Sequence, residues 1–342
     1  MIPLSLYVAS LTFIMSYFVT RLMIRAGVGD IPVSRSSHTQ VTPTGAGLGV
    51  ICGTAVGFFF LSFLGLGNIF ADLSVILSLC FAVAIVGLYD DLFSPPTLVK
   101  FGVLIGIIWL LIDYLGPVQH LPMGRDMLHL PYVVGGLGTL LWVFVVVNGV
   151  NFMDGVNGIM GGCMAIAFLG LSTVGHILGA PQTFWLGLVS AAAWAGFLPL
   201  NLRRKALIFS GDIGALTAGF LFAAGVLLLT NEAEISASIY LGAMMVLPFL
   251  TDVLLTLLRR LIRRRNLLSP HRDHLYQQAV RNGVPHIKIS LIYYGAFAIC
   301  SGVALFMAQH DQAAISAAFL GMIILSIVTY VIGLRVWRVK PD

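Results

Sequence analysis

The sequence predicts an all-α, polytopic membrane protein of about eleven transmembrane helices, with the N-terminus outside and the C-terminus cytoplasmic. Three observations predict it. Of 342 residues, 58% are hydrophobic and 10% charged, with a mean hydropathy of +0.97, whereas a soluble globular domain is about a quarter charged. Apolar runs near the ~20 residues that cross ~30 Å of hydrocarbon recur from end to end. They are solid rather than alternating, so helices are expected and a lipid-facing barrel is not. Third, eighteen of the nineteen lysines and arginines fall in alternate connections and only Arg125 on the other side, which marks the basic side as cytoplasmic.

The spans are bounded by charges and turn formers. The first, 4–20, stops at Arg21 and Arg25, and with no basic residue before it and no small-residue cleavage site it is expected to stay as a membrane helix. Span 45–66 follows Thr42-Pro43-Thr44, and 73–89 stops at Asp90-Asp91. Spans 98–115 and 131–147 follow, the latter ending at an Asn/Gly-rich stretch; 158–178 and 183–200 come next, before Arg203-Arg204-Lys205. Span 213–229 starts after Asp212, 235–257 ends at an arginine run, and 289–308 and 313–334 close the chain. Gly53 with Gly57 and Gly102 with Gly106 have the spacing that lets helices approach closely. The four cysteines lie inside apolar runs and read as small buried hydrophobes, not disulfides. The formal charge of +5 lies between spans, where it meets membrane lipids and phosphates, so nucleic acid is not an expected partner.

The cytoplasmic connections hold nearly all the unusual polar sequence. The first carries Asp30-Ile-Pro-Val-Ser-Arg35-Ser-Ser-His38 and then Thr42-Pro43-Thr44-Gly45-Ala46-Gly47. At the second, Asp90 and Asp91 emerge from an apolar helix; such a pair, roughly 5 Å apart, repels by about 1 kcal/mol in water and about 3 at an effective dielectric near 20, and so needs a cation or a shared proton. A helix C-terminus is itself negative, which sharpens that need. The third reads Asn148-Gly-Val-Asn151-Phe-Met-Asp154-Gly-Val-Asn157-Gly158, without lysine or arginine, and its donors, amides and one carboxylate suit a nucleotide or a metal-bound phosphate. In Ser210-Gly211-Asp212 the aspartate, taken alone, reads as a helix cap. Taken together, Asp90, Asp91, Asp154 and Asp212 are hard oxygen ligands on one face, suited to Mg²⁺ or Mn²⁺ shared with substrate phosphates. The fifth connection has Arg259, Arg260, Arg263, Arg264 and Arg265, a lipid-facing or orientation-setting run, and then His271-Arg272-Asp273-His274, which can bind a diphosphate.

Asp30-x-Pro32-x-x-Arg35-x-x-His38, Asp90-Asp91, Asn151-Phe-Met-Asp154-Gly-Val-Asn157-Gly158, Ser210-Gly211-Asp212-Ile-Gly214 and His271-Arg272-Asp273-His274 occur in one order along nearly the whole chain. In this the chain resembles the polyprenyl-phosphate N-acetylhexosamine-1-phosphate transferases. The resemblance implies transfer of a sugar-1-phosphate from a UDP-N-acetyl sugar to undecaprenyl phosphate, release of UMP, and a need for Mg²⁺ or Mn²⁺. It implies a bacterial inner-membrane location and a role in lipopolysaccharide, O-antigen or other cell-wall glycan synthesis; a homodimer stays open. By position it implies that Asp90 and Asp91 are catalytic and that Asp212 and Asp154 serve the metal. Asn151, Asn157, His271, Arg272, His274, Arg35 and His38 would then contact substrate.

Two positions depart from the family pattern: Thr44 and Ala46 stand where many relatives have arginine and a third glycine. The fifth connection lacks the triple-histidine stretch of peptidoglycan-precursor enzymes and resembles the His-Arg-x-His form of O-antigen initiating enzymes, which points to N-acetylated hexosamines or 6-deoxy relatives such as N-acetylfucosamine. A peptidoglycan-type phosphotransferase, a CDP-alcohol phosphotransferase, a lipid-binding scaffold and a multi-span transporter are the rivals. A transporter predicts ionisable residues at span centres, whereas Asp113 and Asp252 are expected towards span ends.

Overall fold

The computed structural model describes residues 3–27, 29–30, 42–66, 71–233, 235–267, 269 and 271–337. In chain order the elements are α1 (Leu4–Ala26), β1 (Gly29–Asp30), β2 (Thr42–Pro43), α2 (Ala46–Leu61, prolonged by a π turn at Ser62–Leu66), α3 (Ala71–Phe93) and α4 (Thr97–Leu115). A hairpin of β3 (His120–Met123) and β4 (Asp126–His129) precedes α5 (Tyr132–Phe152), α6 (Ile159–Ile177), α7 (Pro181–Asn201) and α8 (Gly211–Glu232). The chain continues through α9 (Ser238–Met245), α10 (Leu247–Ile262), α11 (Leu275–Arg281), α12 (His286–Met307) and α13 (Gln312–Val336). Ten of these helices are each long and apolar enough to cross a membrane; α9 and α10 would together make an eleventh. The protein is an all-α polytopic membrane protein.

One expected span is not straight. The run 235–257 breaks at Val246, and α9 and α10 meet at 75°. Pro248, in the first turn of α10, has no N–H to donate back into α9, and its ring would collide with a carbonyl of a continuous helix. The polar residues Asp252, Thr256 and Arg260 give the second half one buried polar stripe, four residues apart. Asp252 therefore lies in the middle of α10 and not towards a span end, contrary to the sequence expectation.

Helix α8 is the axis of the bundle, packed against α2, α3, α5, α6, α7 and α9 and buried along almost its whole length. Lipid is as apolar as leucine, so contact here depends on small residues that let backbones meet. A Cβ on Gly87 of α3 would lie 2.5 Å from the Cα of Ile213, and one on Gly47 of α2 would lie 2.3 Å from the backbone nitrogen of Gly214. Both crossings are at the start of α8, so they draw the last turn of α3 and the first of α2 onto it. Gly53 and Gly57 likewise meet α1, at Ser16 and Thr12, whereas Gly102 and Gly106 have no described neighbour within 4 Å and line an open face of α4. The cysteines form no disulfide; Cys80, Cys163 and Cys300 are buried as expected, and Cys52 is exposed instead.

Candidate active site

The last turns of α3 and α5 and the first turns of α4 and α8 meet at one end of the bundle. Ser94-Pro95-Pro96 turns the chain sharply between α3 and α4, with the Ser94 amide returned to the Asp90 carbonyl at 2.9 Å. This sets Lys100 beside Asp90. The Lys100 Nζ donates to Asp90 Oδ2 at 2.6 Å and to Asp212 Oδ2 at 2.9 Å, and the Nδ2 of Asn151 donates to Asp212 Oδ1 at 3.0 Å. One ammonium thus bridges two carboxylates from different helices. All three side chains are mostly withdrawn from solvent, which strengthens both the attraction and the need for it.

The cap of α8 comes from Asp91 and not from Asp212. Asp212, taken alone, reads as the cap of α8. Instead Asp91 caps that helix from α3: its Oδ1 accepts the Asp212 amide at 2.9 Å and its Oδ2 the Ile213 amide at 3.2 Å. Those amides belong to the first turn of α8, where no intrahelical acceptor exists and the dipole favours an anion. Gly211, at φ +73°, leaves room for this, since a Cβ there would lie 2.6 Å from Asp91 Oδ2. The Asp212 side chain is thereby free to face Lys100.

Asp154 lies half-buried behind the same turn and accepts the hydroxyl of Ser210. Burial pushes its carboxyl up to about 7, a shift that the Ser210 hydrogen bond opposes and the Asp212 charge reinforces. A carboxyl raised in the folded state favours folding below its unfolded value near 4 and loses that contribution as pH rises through about 7. Asp154→Asn is therefore expected to flatten the fall in thermal stability between pH 4 and 7, by up to about 4 kcal/mol at about 1.36 kcal/mol per pH unit. Unfolding temperatures of the two proteins at pH 5 and pH 8 measure it.

Asn157 turns inward and ties loops together. Its Nδ2 donates to the carbonyls of Arg203 at 2.8 Å and Arg204 at 3.4 Å, its Oδ1 lies 3.1 Å from His286 Nδ1, and its carbonyl accepts the Ser290 hydroxyl at 2.8 Å. Asn201 repeats this device, with its Nδ2 donating to the Ile208 carbonyl at 2.8 Å. Residues 43–47 dock on the segment before α8, through Phe209 N to Pro43 O at 2.9 Å and Gly47 N to Ser210 O at 2.9 Å. The connection between α1 and α2 thus ends beside the aspartates. Arg35 and His38 lie outside the described residues.

The His271–His274 segment packs on the Asn151–Gly155 turn. Phe152 stacks on His274 with ring centres 6.0 Å apart, Tyr276 stacks on the same imidazole at 6.1 Å, and the Tyr276 hydroxyl donates to the Phe152 carbonyl at 2.9 Å. His274 is 3% exposed, so it is a ring fixed in the wall; His271, 4.9 Å from it, is nearer the surface. Burial, followed by the charges of His274 and Arg260, lowers His271 to about 4, so its imidazole is neutral near pH 7. The Arg272 carbonyl accepts Gln278 Nε2 at 2.8 Å. Arg260 departs from the lipid-facing expectation for its run: it is buried and pairs with Asp273. That pairing outweighs burial and holds the Asp273 carboxyl below its ordinary range.

The donor set fits Mg²⁺, which takes one or two carboxylates and completes its shell with water and substrate phosphate. Asp90 and Asp212 already converge on a single cation, and no group of three or more His, Cys, Asp or Glu suited to a metal occurs among the described residues. That is the pattern of a shared site and not of a closed protein cage. Lys100 was not among the expected site residues, although it is the only lysine or arginine between Asp91 and Arg125. Ser210 belonged to the Ser210-Gly211-Asp212 motif but was not among the expected site residues, and neither was Asp252.

Residues 73–230 match glycosyl transferase family 4. The match spans Asp90, Asp91, Lys100, Asn151, Asp154, Asn157 and Asp212, and ends before α10 and the His271–His274 segment. Similarity to single proteins runs further. The chain is 24% identical to a probable undecaprenyl-phosphate N-acetylglucosaminyl 1-phosphate transferase of Bacillus subtilis, over 96% of this chain and 91% of that one. It is 28% identical to a decaprenyl-phosphate N-acetylglucosaminephosphotransferase of Mycobacterium tuberculosis, over 94% and 87%, respectively. An undecaprenyl-phosphate alpha-N-acetylglucosaminyl 1-phosphate transferase of Salmonella typhi is 25% identical over 85% and 80%. The matched segment holds Asp90, Asp91, Asp154 and Asp212, in a chain similar to such transferases over most of its length.

Proposed function

We propose that the protein transfers an N-acetylhexosamine-1-phosphate from a UDP-sugar to undecaprenyl phosphate in the bacterial inner membrane, releasing UMP and starting a cell-surface glycan such as O-antigen. The observation that carries this reading is the convergence of Asp90, Lys100, Asn151 and Asp212 at one end of the bundle, in a chain similar over nearly its full length to enzymes named for that reaction. The lysine and arginine asymmetry assigns this end to the cytoplasm, where UDP-sugars are found.

An oxygen of the lipid phosphate attacks the β-phosphorus of the UDP-sugar, and the bond from that phosphorus to the oxygen bridging to UMP breaks, UMP leaving with the electron pair. Near neutral pH the acceptor is already largely anionic, so the protein must chiefly offset repulsion and align two phosphates. Asp90 orients the acceptor and takes its last proton. Lys100, held between two carboxylates, brings positive charge to where phosphate charge gathers. Asp91 fixes α8 and thereby Asp212, and His271 and Arg272 border the diphosphate and sugar. Asp212, with Asp90, would hold Mg²⁺, which supplies charge neutralisation on the phosphates when bound.

Purified protein given undecaprenyl phosphate, Mg²⁺ and a panel of UDP-N-acetyl sugars, N-acetylfucosamine included, is expected to release UMP with at least one donor. No release from any donor would overturn the reading. A phosphorylated Asp90 trapped with UDP-sugar alone would replace the single displacement by a two-step path.

A further inference from the structure

Helix α10 is the template on which the His271–His274 segment is built. Its polar stripe grips both ends of that segment. At one end Arg260 pairs with Asp273 and donates through Nη2 to the Asn266 carbonyl at 2.6 Å and to the Ser269 hydroxyl at 3.0 Å. At the other end Asp252, 1% exposed, takes the amide of Leu275 on Oδ1 at 2.7 Å, and the amide of Tyr276 at 3.2 Å and the hydroxyl of Tyr293 at 2.6 Å on Oδ2. Thr256 lies 3.3 Å from the same carboxylate, and His274 Nδ1 lies 3.7 Å from Oδ1.

A buried carboxylate is costly without compensation. Among the described residues no lysine or arginine lies within ion-pairing distance of Asp252; the compensation comes from the two amides that open α11, from Tyr293 and from His274. The dependence is mutual. The amides of α11 need an acceptor, and the His274 ring, stacked between Phe152 and Tyr276, has one nitrogen turned to Asp252 and the other at the opposite edge. At 3.7 Å the carboxylate lies beside the imidazole nitrogen beyond hydrogen-bond length, and it holds the ring chiefly through the start of α11, which His274 immediately precedes.

We infer that Asp252 is a positioning residue for the transfer reaction: from outside the matched segment 73–230 it fixes the start of α11 and with it the His274 ring, and so sets where His271 and Arg272 meet the diphosphate-sugar. This rests on the function proposed above. Nothing in it requires Asp252 to touch a substrate.

The test compares UMP release by wild type, Asp252→Asn and Tyr293→Phe, each with UDP-N-acetylglucosamine and undecaprenyl phosphate varied in turn. Asparagine keeps the size but cannot accept from Leu275, Tyr276 and Tyr293 together. Asp252→Asn is expected to lower kcat/KM for the UDP-sugar on the order of 10–100-fold, as for other carboxylates that orient a functional imidazole, with KM for undecaprenyl phosphate unchanged. Tyr293→Phe, which removes one hydrogen bond and no charge, is expected to lower the same quantity by about threefold to tenfold. Wild-type constants in both variants, or an equal loss for both substrates, would overturn the inference. Should Asp252→Asn not yield folded protein, Tyr293→Phe decides by the same split. If wild type releases no UMP from any donor, the proposed function itself fails, a different outcome from active wild type with unaffected variants.

Discussion

Replacing Asp212 by asparagine is expected to lower UMP release by about 10²–10³-fold or more, the cost of losing one aligned electrostatic group at a site of charge transfer, and to leave the fold intact. The amide would keep the side-chain volume, and it would leave the α8 cap untouched because Asp91 bonds the backbone amides and not the side chain. Lys100 would still have Asp90 at 2.6 Å. The loss should therefore appear in kcat and in the Mg²⁺ concentration needed for half-maximal rate, with little change in the unfolding temperature. A variant within threefold of wild type at every Mg²⁺ concentration would remove Asp212 from the reaction centre. Asp91→Asn should behave differently: an amide can accept only one of the two bonds well, so this change should cost stability together with activity.

The second large effect is expected at Lys100. Lys100→Met removes the ammonium that bridges Asp90 and Asp212 and leaves two facing carboxylates uncompensated. Breaking one side of a buried ion pair costs about 3–5 kcal/mol; with side chains still partly open to solvent, the lower end is expected. The variant should lose activity by at least about 10²-fold and unfold at lower temperature in EDTA. Millimolar Mg²⁺ should restore part of its stability and little of its activity, because a divalent ion can replace the missing charge between Asp90 and Asp212 but not the donor itself. Equal stability in EDTA and Mg²⁺, or activity near wild type, would show that the bridge seen between α3, α4 and α8 does not matter in solution.

Much of the fold was legible because membrane crossing is a one-dimensional constraint. Hydrocarbon demands about twenty apolar residues in succession, and the boundary residues Arg21, Asp90-Asp91, Arg203-Arg204-Lys205 and Arg335 interrupt the runs close to where α1, α3, α7 and α13 end. Helices α1 and α3 run a few residues past those boundaries. Span nine reads as one run because hydropathy counts Pro248 as one tolerable residue, while its missing N–H bends the chain by 75°. The hairpin His120–His129 and the short helix α11 carry no apolar run, and so left no trace in hydropathy.

The site divides along similar lines. The residue types and their order marked Asp90, Asp91, Asn151, Asp154 and Asp212, because carboxylates and amides at apolar helix ends are expensive unless something answers them. Which group answers which is a matter of approach between segments far apart in the chain. Lys100 reaches Asp212 across 112 residues and Asp91 reaches the α8 amides across 121, and both depend on glycines 47, 87 and 214 letting three backbones touch.

The sequence by itself determined that this is a multi-span helical membrane protein whose polar chemistry is gathered on one side, because burial in lipid and loop charge act on each segment separately. Only the tertiary structure decided that Asp91 is a cap and Asp212 the partner of Lys100 and Asn151, that Asn157 and His274 are turned inward, that Arg260 holds a loop instead of facing lipid, and that Asp252 anchors the same loop. A charged group's role follows from the nearest opposite charge or free amide, and those lie on other helices.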